Sequence, residues 1–196
     1  MCDSNSQHGG IGKTTLTQLV YKDNSVKEHF DLQAWVCVSD EFDVFKVMKT
    51  ILEEVSSATI SDSKNLNLLQ LTLNEKLKGK KFLLVLDDVR NENSTDWEML
   101  STPFKVGEHG IVVIVTTRTD DVASIMHTIP THRLKTLLEE DCWLLFAKHA
   151  FGINSDAHSK LEVIGRKIVK KSKGLLLAAK TIRSLLQALN FSICGR

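Results

Sequence analysis

A glycine-rich segment that ends in a lysine and two threonines is the part of the sequence best suited to chemistry. Glycines let backbone N–H groups approach phosphate oxygens closely, and the first turn of a helix favours an anion. A lysine adds positive charge at the β and γ phosphates, and the hydroxyl after it reaches Mg²⁺. We therefore predict a phosphate loop in which Lys13 contacts the phosphates and Thr14 is a metal ligand. The segment reads Gly9-Gly10-Ile11-Gly12-Lys13-Thr14-Thr15 and leads into Leu16, Leu19 and Val20 at helical spacing.

Two aspartates follow an apolar run further along the chain. The run covers residues 82–86, and Asp87 and Asp88 come directly after it. An apolar run without alternation indicates a strand buried in a parallel sheet, whose carboxyl end is where ligands bind. There Asp87 would hold Mg²⁺, mostly through water, and Asp88 would orient or activate an attacking water. We predict Asp87 as a metal ligand beside Thr14, and Asp88 as the catalytic residue.

An arginine follows the next apolar run. Residues 111–115 are apolar, and Thr116, Thr117 and Arg118 come after them. A guanidinium group at the carboxyl edge of a sheet matches phosphate oxygens, so Arg118 would contact a γ phosphate. A solvated arginine after a strand is an equal alternative from the sequence alone.

The first two signals also have plain structural alternatives. The glycine-rich segment could be a turn before a helix, and the two aspartates could be a polar turn after a strand. Both alternatives lose weight because the two patterns occur together in one chain. Two defects oppose the phosphate loop. The pattern Gly-x-x-x-x-Gly-Lys-Thr has Gln7 at its first glycine position, and residues 1–6 do not resemble the buried strand that usually precedes such a loop.

Apolar spacing predicts the elements that would position these residues. Strand candidates at 32–38, 82–86 and 111–115 alternate with segments of helical spacing at 44–55, 66–77 and 120–126. Ser39, Asp40 and Asp43 are candidate caps for the helix at 44–55. Alternating strands and helices predict an α/β fold with a parallel sheet. From residue 139 onward the spacing predicts helices only, the last at 175–189, so we expect a boundary near residue 134.

The composition is that of an ordinary globular domain. The 196 residues are 42% hydrophobic and 25% charged with a net charge of +1. These values argue against a disordered chain and against a broad basic surface for nucleic acid. No apolar run approaches the roughly 20 residues of a membrane span, and the first dozen residues lack a secretory signal.

The four cysteines give no sign of a zinc site or a disulfide framework, because they are scattered without Cys-x-x-Cys spacing. Two of them lie in apolar runs, where cysteine is usually buried. We therefore expect a reducing, cytoplasmic location. The cysteines are Cys2, Cys37, Cys142 and Cys194.

The order of these motifs resembles the NB-ARC domain of plant disease-resistance proteins of the non-TIR, coiled-coil type. The resemblance extends from Gly9 to about Leu186 and includes the three segments already described. Three more segments carry it. They are Phe30-Asp31-Leu32-Gln33-Ala34-Trp35-Val36-Cys37-Val38-Ser39, which resembles a segment distinguishing the non-TIR class; residues 137–151, with Glu140-Asp141-Cys142-Trp143; and Gly174-Leu175-Leu176-Leu177-Ala178, which is similar to the family's Gly-Leu-Pro-Leu-Ala motif.

The resemblance implies a P-loop NTPase fold, an α/β parallel sheet flanked by helices and followed by an incomplete helical ARC subdomain. Residues 1–134 would form the nucleotide-binding domain, with its first strand missing or replaced, and residues 135–196 would begin a truncated ARC subdomain. The implied activity is an ADP/ATP switch in plant defence signalling that uses Mg²⁺ and is at most a slow ATPase. The implied partners are the nucleotide and full-length resistance proteins or other immune proteins. The implied nucleotide contacts are Gly9, Gly10, Ile11, Gly12, Lys13, Thr14, Thr15, Arg118 and Leu176.

The sequence also departs from the family pattern. Leu176 stands where the family has a proline, and Arg90 stands where the non-TIR class usually has a tryptophan. A second hypothesis therefore stays open, in which the chain is a truncated interaction module that binds no nucleotide. It would expose apolar surface where the first strand should pair, and associate with full-length relatives. A P-loop ATPase of another family is disfavoured by the segment at residues 35–39.

Overall fold

A computed structural model describes residues 10–38, 42–56, 65–105, 110–126, 130–150 and 159–171. Within these residues, contacts divide the chain into two compact units. Among the described residues, one unit extends from Thr14 to Thr131, and the other contains residues 132–150 and 159–171 with the short segment 10–13. The first unit alternates helices and strands, and the second is helical where it is described. The elements are α1 (Lys13–Lys22), α2 (Asn24–His29), β1 (Leu32–Cys37), α3 (Val44–Ser56), α4 (Leu66–Leu77), β2 (Phe82–Val89), α5 (Ser94–Lys105), β3 (Ile111–Thr117), α6 (Asp120–Met126), α7 (Glu139–Ala150) and α8 (Ser159–Lys171).

The three strands form a parallel sheet in the order β1-β2-β3. Leu32 of β1 lies opposite Phe82 of β2, and Phe82 lies opposite Ile111 of β3. All three strands therefore start level, and their carboxyl ends lie at one edge of the sheet. The predicted α/β fold, a parallel sheet flanked by helices, is confirmed.

The central strand β2 is buried along nearly its whole length, as its unbroken apolar run predicts. The same prediction is wrong for the first half of β3, where Val112 and Val113 are 44% and 37% exposed. Strand β3 is an edge of the described sheet, as is β1, but only β3 has exposed valines. Cys37 is also exposed, at the end of β1, although Cys142 is buried as expected.

Helices cover both faces of β1. Ala34 belongs to the same core as Met48 and Ile51 of α3, whereas its neighbour Trp35 contacts Tyr21 of α1 with ring centroids 5.3 Å apart. Successive residues of a strand point to opposite faces, so α3 and α1 lie on different faces of the sheet. The two helices thus enclose β1 from both sides.

Helices α3 and α4 begin at caps formed by short polar side chains. The Asp43 carboxylate accepts the N–H groups of Phe45 and Lys46 at 2.9 and 3.2 Å, which satisfies free donors at the start of α3. The side chain of Asn65 accepts the N–H groups of Asn67 and Leu68 in the same way at the start of α4. Asp43 was one of three predicted caps; Ser39 and Asp40 lie outside the described residues.

Helix α5 contains a proline near its end, and its sequence did not predict a helix. Pro103 has no N–H group to donate to the carbonyl of Met99, four residues earlier. The side-chain amide of Gln70, from α4, donates to that carbonyl instead at 3.0 Å. The neighbouring helix thus replaces the bond that proline removes. The short α2 was not predicted either.

The second unit, where it is described, is built on the packing of α7 against α8. Cys142, Trp143 and Phe146 of α7 form a small apolar cluster with Val169 of α8. Gly165 of α8 faces two of these rings, so a Cβ atom there would lie 2.7 Å from Trp143 and 2.9 Å from Phe146. The glycine is what permits so close an approach. The helix predicted at 175–189 lies outside the described residues.

In the part of the chain that the structure describes, every helix is too short or too polar to cross a membrane.

Candidate functional site

The glycine-rich segment has the backbone conformation that its glycines permit. Gly10 and Gly12 have φ angles of +88° and +108°, a region that glycine enters without steric cost. Ile11 lies between them, and helix α1 starts directly afterwards at Lys13. The loop therefore leads straight into the N-terminus of a helix, as the sequence predicts. Gly9 lies outside the described residues.

The hydroxyl of Thr14 and the carboxylate of Asp87 are in direct contact. Thr14 Oγ1 donates to Asp87 Oδ1 at 2.9 Å, and Thr116 Oγ1 donates to the same oxygen at 2.5 Å. Asp87 is only 5% exposed, so these bonds compensate for much of its lost hydration. The structure thus brings together Thr14 and Asp87, the two residues predicted as metal ligands, from segments 73 positions apart in the chain.

A bulge shapes the end of β2. Leu86 pairs with Val115 and Val89 with Thr117, so two residues of β2 oppose one residue of β3. Asp88, the second residue of the bulge, has a left-handed φ of +56°. Its N–H donates to Thr116 Oγ1 at 2.9 Å. A single threonine hydroxyl therefore bonds to both aspartates.

Asp88 is bonded to two arginines. Arg118 donates to it through Nε and Nη2, at 2.9 Å to Oδ1 and 3.1 Å to Oδ2, and Arg90 Nη2 donates to Oδ2 at 2.9 Å. Partial burial raises the pKa of the Asp88 carboxyl, but the hydrogen bonds and charges of Arg90 and Arg118 outweigh it. The pKa of Asp88 is therefore below its ordinary value, and the group is a weak base.

The oxygens of Thr14 and Asp87 fit Mg²⁺ better than a transition metal. Mg²⁺ prefers oxygen ligands and takes one or two carboxylates from a protein, with waters and phosphates completing its shell. No cluster of three or more His, Cys, Asp or Glu side chains suited to a metal occurs within the described ranges. The hydroxyl of Thr14, just after the glycine-rich loop, and the buried carboxylate of Asp87 are oxygen ligands of the kind that Mg²⁺ takes.

Two residues of this site were not predicted from the sequence, although both left a signal. Thr116 directly follows the apolar run of β3, as Asp87 follows that of β2, so level strands place them side by side. Arg90 is two residues beyond Asp88, a spacing that puts side chains on the same side of an extended chain. Leu176, predicted to contact the nucleotide, lies outside the described residues. Thr15 is half-buried in the first turn of α1.

Comparison with known proteins identifies the family. The family model of the NB-ARC domain matches residues 6–156. The chain is 46% identical over 178 residues to disease resistance protein RGA2 of Solanum bulbocastanum, covering 91% of this chain and 18% of that protein. It is 44% identical to putative disease resistance RPP13-like protein 1 of Arabidopsis thaliana over 183 residues, again covering 91% of this chain and 17% of the relative.

A more distant relative agrees with these two. Disease resistance protein RPM1 of Arabidopsis thaliana is 34% identical over 193 residues, which cover 93% of this chain and 21% of that protein. The chain therefore spans about a fifth of the length of the relatives it matches. With the loop, the two aspartates and the arginine all in the matched region, this chain belongs to the NB-ARC domain family.

Proposed function

We propose that this chain is a nucleotide-binding switch module of a plant disease-resistance protein, which takes ADP or ATP with Mg²⁺. The contact between Thr14 and Asp87 is the observation that supports it most directly, because a phosphate loop and an acidic strand must meet to hold a metal–phosphate group. In this proposal residues 1–134 are the nucleotide-binding domain, and residues 135–196 begin the ARC subdomain. Gly9 and Leu176 are further proposed contacts of the nucleotide.

Each site residue has a role in this proposal. The N–H groups of the loop at Gly10, Ile11 and Gly12 would bind phosphate oxygens, with Lys13 supplying the positive charge. Thr14 and Asp87 would hold Mg²⁺, which neutralises phosphate charge when it is bound. Thr15 adds an N–H group in the first helical turn, and Arg118 would contact the terminal phosphate of ATP.

Slow turnover follows from the surroundings of Asp88. A residue that activates water by accepting its proton needs a pKa near the working pH. Both oxygens of Asp88 accept bonds from arginines, and these lower its pKa, so the carboxylate is a poor proton acceptor. A module of this kind would hold ATP for long periods, which suits a switch better than an enzyme of high turnover.

Thermal unfolding with and without ADP and Mg²⁺ tests the proposal. A ligand at a hundred times its Kd stabilises the native state by about 2.7 kcal/mol. For a chain of this length, that corresponds to a rise in the unfolding midpoint of roughly 5–10 °C. We expect this rise in the unaltered chain and its loss in Lys13→Ala.

Lys22→Ala is the matched control, since Lys22 is an exposed lysine at the other end of the same helix. It should keep the full shift. Absence of any shift in the unaltered chain, with cooperative unfolding, would refute nucleotide binding. An equal shift in Lys13→Ala would refute the role given to the loop.

The exposed apolar residues of the first unit favour a second candidate, an interaction module that associates with full-length relatives. Val112 and Val113 of β3 are exposed, and so are Leu16, Leu19 and Val20 of α1. Exposed apolar surface of this kind is typical of protein contacts. An unfolding transition that ADP leaves unchanged, combined with self-association of the chain, would favour this candidate over the nucleotide switch.

A further inference from the structure

The guanidinium group of Arg118 is held along one edge. Its Nε and Nη2 donate to the two oxygens of Asp88, at 2.9 and 3.1 Å, which is a side-on bidentate pair. This pair uses the Nε–Nη2 edge of the planar group, and the Nη1–Nη2 edge does not take part in it. In the described part of the chain, the bonds recorded for Arg118 all go to Asp88. The second edge therefore still has donors for an anion.

Asp88 is itself held in place from two directions. Its N–H is bonded to Thr116 Oγ1, which fixes the backbone at the bulge. Its Oδ2 accepts from Arg90 Nη2 at 2.9 Å as well as from Arg118, so two arginines share the carboxylate. The Asp88 side chain is 22% exposed, less than half the value of either arginine. The carboxylate is thus the most enclosed of the three groups.

From this geometry we infer that Asp88 and Arg90 are positioning residues for Arg118. Asp88 holds the guanidinium side-on so that its adjacent Nη1–Nη2 edge is presented to the terminal phosphate of a nucleoside triphosphate, and Arg90 fixes Asp88. The inference rests on the proposed nucleotide function and adds to it a determinant of triphosphate over diphosphate binding. Arg90 acts without contacting the nucleotide.

Asp88 could instead compete with the phosphate for Arg118. That role predicts the opposite change in triphosphate affinity. If Asp88 competed with phosphate for Arg118, removing its charge would strengthen triphosphate binding. If Asp88 orients Arg118, removing the charge of Asp88 or removing Arg90 weakens triphosphate binding. Diphosphate binding then stays unchanged. The ratio of the two affinities therefore separates the two roles, and a purely structural role would change both affinities together.

The binding test compares ADP with a non-hydrolysable ATP analogue, each with Mg²⁺, in the full chain and its variants. We expect Arg118→Ala to lower the affinity for the analogue by roughly tenfold or more, which is the scale of a lost charged hydrogen bond. Arg90→Ala should lower the affinity for the analogue by about two- to fivefold, which is the scale of an exposed ion pair. The affinity for ADP should stay unchanged. Asp88→Asn should act in the same direction, and Arg90→Lys should restore part of the loss.

Lys105→Ala, which removes an exposed charge from the end of α5, is the control and should leave both affinities unchanged. An unchanged or increased preference for the analogue in Arg90→Ala and Asp88→Asn would overturn the inference. Failure of the unaltered chain to bind either nucleotide would instead overturn the proposed function, and the measurement below needs no nucleotide.

Nuclear magnetic resonance of the arginine Nε–H groups tests the arrangement itself. In the unaltered chain the Arg118 Nε–H should exchange with water several-fold more slowly than that of an unpaired arginine. In Arg90→Ala this protection should fall, because the carboxylate that accepts the Arg118 Nε–H is then held by one arginine fewer. Exchange of the Arg118 Nε–H at the rate of a free arginine in the unaltered chain would overturn the inference.

Discussion

The hydroxyl of Thr116 joins the ends of two strands. It donates to the buried carboxylate of Asp87 and accepts the N–H of Asp88, so one side chain stabilises both residues of the bulge. A valine at this position would keep the shape and the methyl group but remove both bonds. Among the side-chain bonds that the structure describes, the Asp87 carboxylate would then retain the one from Thr14.

We expect Thr116→Val to lower the free energy of unfolding by about 1–3 kcal/mol, the cost of leaving enclosed polar groups without a partner. Thr116→Ser keeps the hydroxyl and should lower the free energy of unfolding by clearly less than Thr116→Val. Urea unfolding of the two variants beside the unaltered chain measures the difference. If serine proved as harmful as valine, the lost methyl group would explain the effect and the hydroxyl bridge would not.

At the scale of elements, the crossing of α7 and α8 depends on one residue that has no side chain. Alanine is normally the better helix former, by up to about 1 kcal/mol over glycine. At position 165, however, a Cβ atom would lie within 3.0 Å of the rings of both Trp143 and Phe146, closer than such atoms pack. The rings would have to move apart for the helices to accept it.

Gly165→Ala is therefore expected to destabilise the chain, by about 1–3 kcal/mol if the rings cannot adjust. Val163→Ala is the control, because Val163 is an exposed position on the same helix. It should change stability by less than about 0.5 kcal/mol. Stabilisation of the chain by Gly165→Ala, measured by thermal or urea unfolding, would show that the helices do not pack this closely.

The elements differ in how well the sequence predicted them, and the reasons are physical. Strand β2 is apolar on both faces, so its run of residues is unambiguous, and Asp43 marks the start of α3. Helix α5 was not predicted, and it contains Pro103, a residue that ordinarily ends or kinks a helix. Its lost bond is replaced by Gln70, a residue far away in sequence, and no local pattern shows that.

In the site, too, some features follow from the sequence and others depend on the folded structure. The meeting of Thr14 with Asp87 follows from a general rule, that parallel strands carry ligands at their carboxyl ends. The pairing of Arg118 with Asp88 depends on a bulge and a left-handed residue, which are not visible in the order of residue types. The sequence therefore predicted Thr14, Asp87, Asp88 and Arg118. The structure adds Thr116, Arg90 and the bonds that join all six residues.

At the scale of the whole molecule, the uncovered half of β3 should govern how the chain behaves in solution. Val112 and Val113 point to opposite faces of the strand and are both exposed, next to a strand edge without a described neighbour. We expect the isolated chain to self-associate at micromolar concentration. Val113→Lys should reduce this association, because a charge on an edge strand opposes pairing with another chain.

Sedimentation velocity over a range of concentrations measures the effect. Leu144→Lys is a useful control, since Leu144 is also an exposed apolar residue but lies in the helical unit. It should leave association through β3 unchanged. A chain that stays monomeric throughout this range would remove the main support for the interaction module and leave the nucleotide switch as the better account.

The left-handed backbone of Asp88 limits which substitutions can reveal what its charge does. Asparagine and glycine accept a φ of +56° readily, whereas alanine and larger side chains resist it. An alanine at this position would alter both charge and backbone, so any loss it caused would have two causes. Asparagine and glycine keep the bulge, so they alone separate the contribution of the charge from that of the backbone shape.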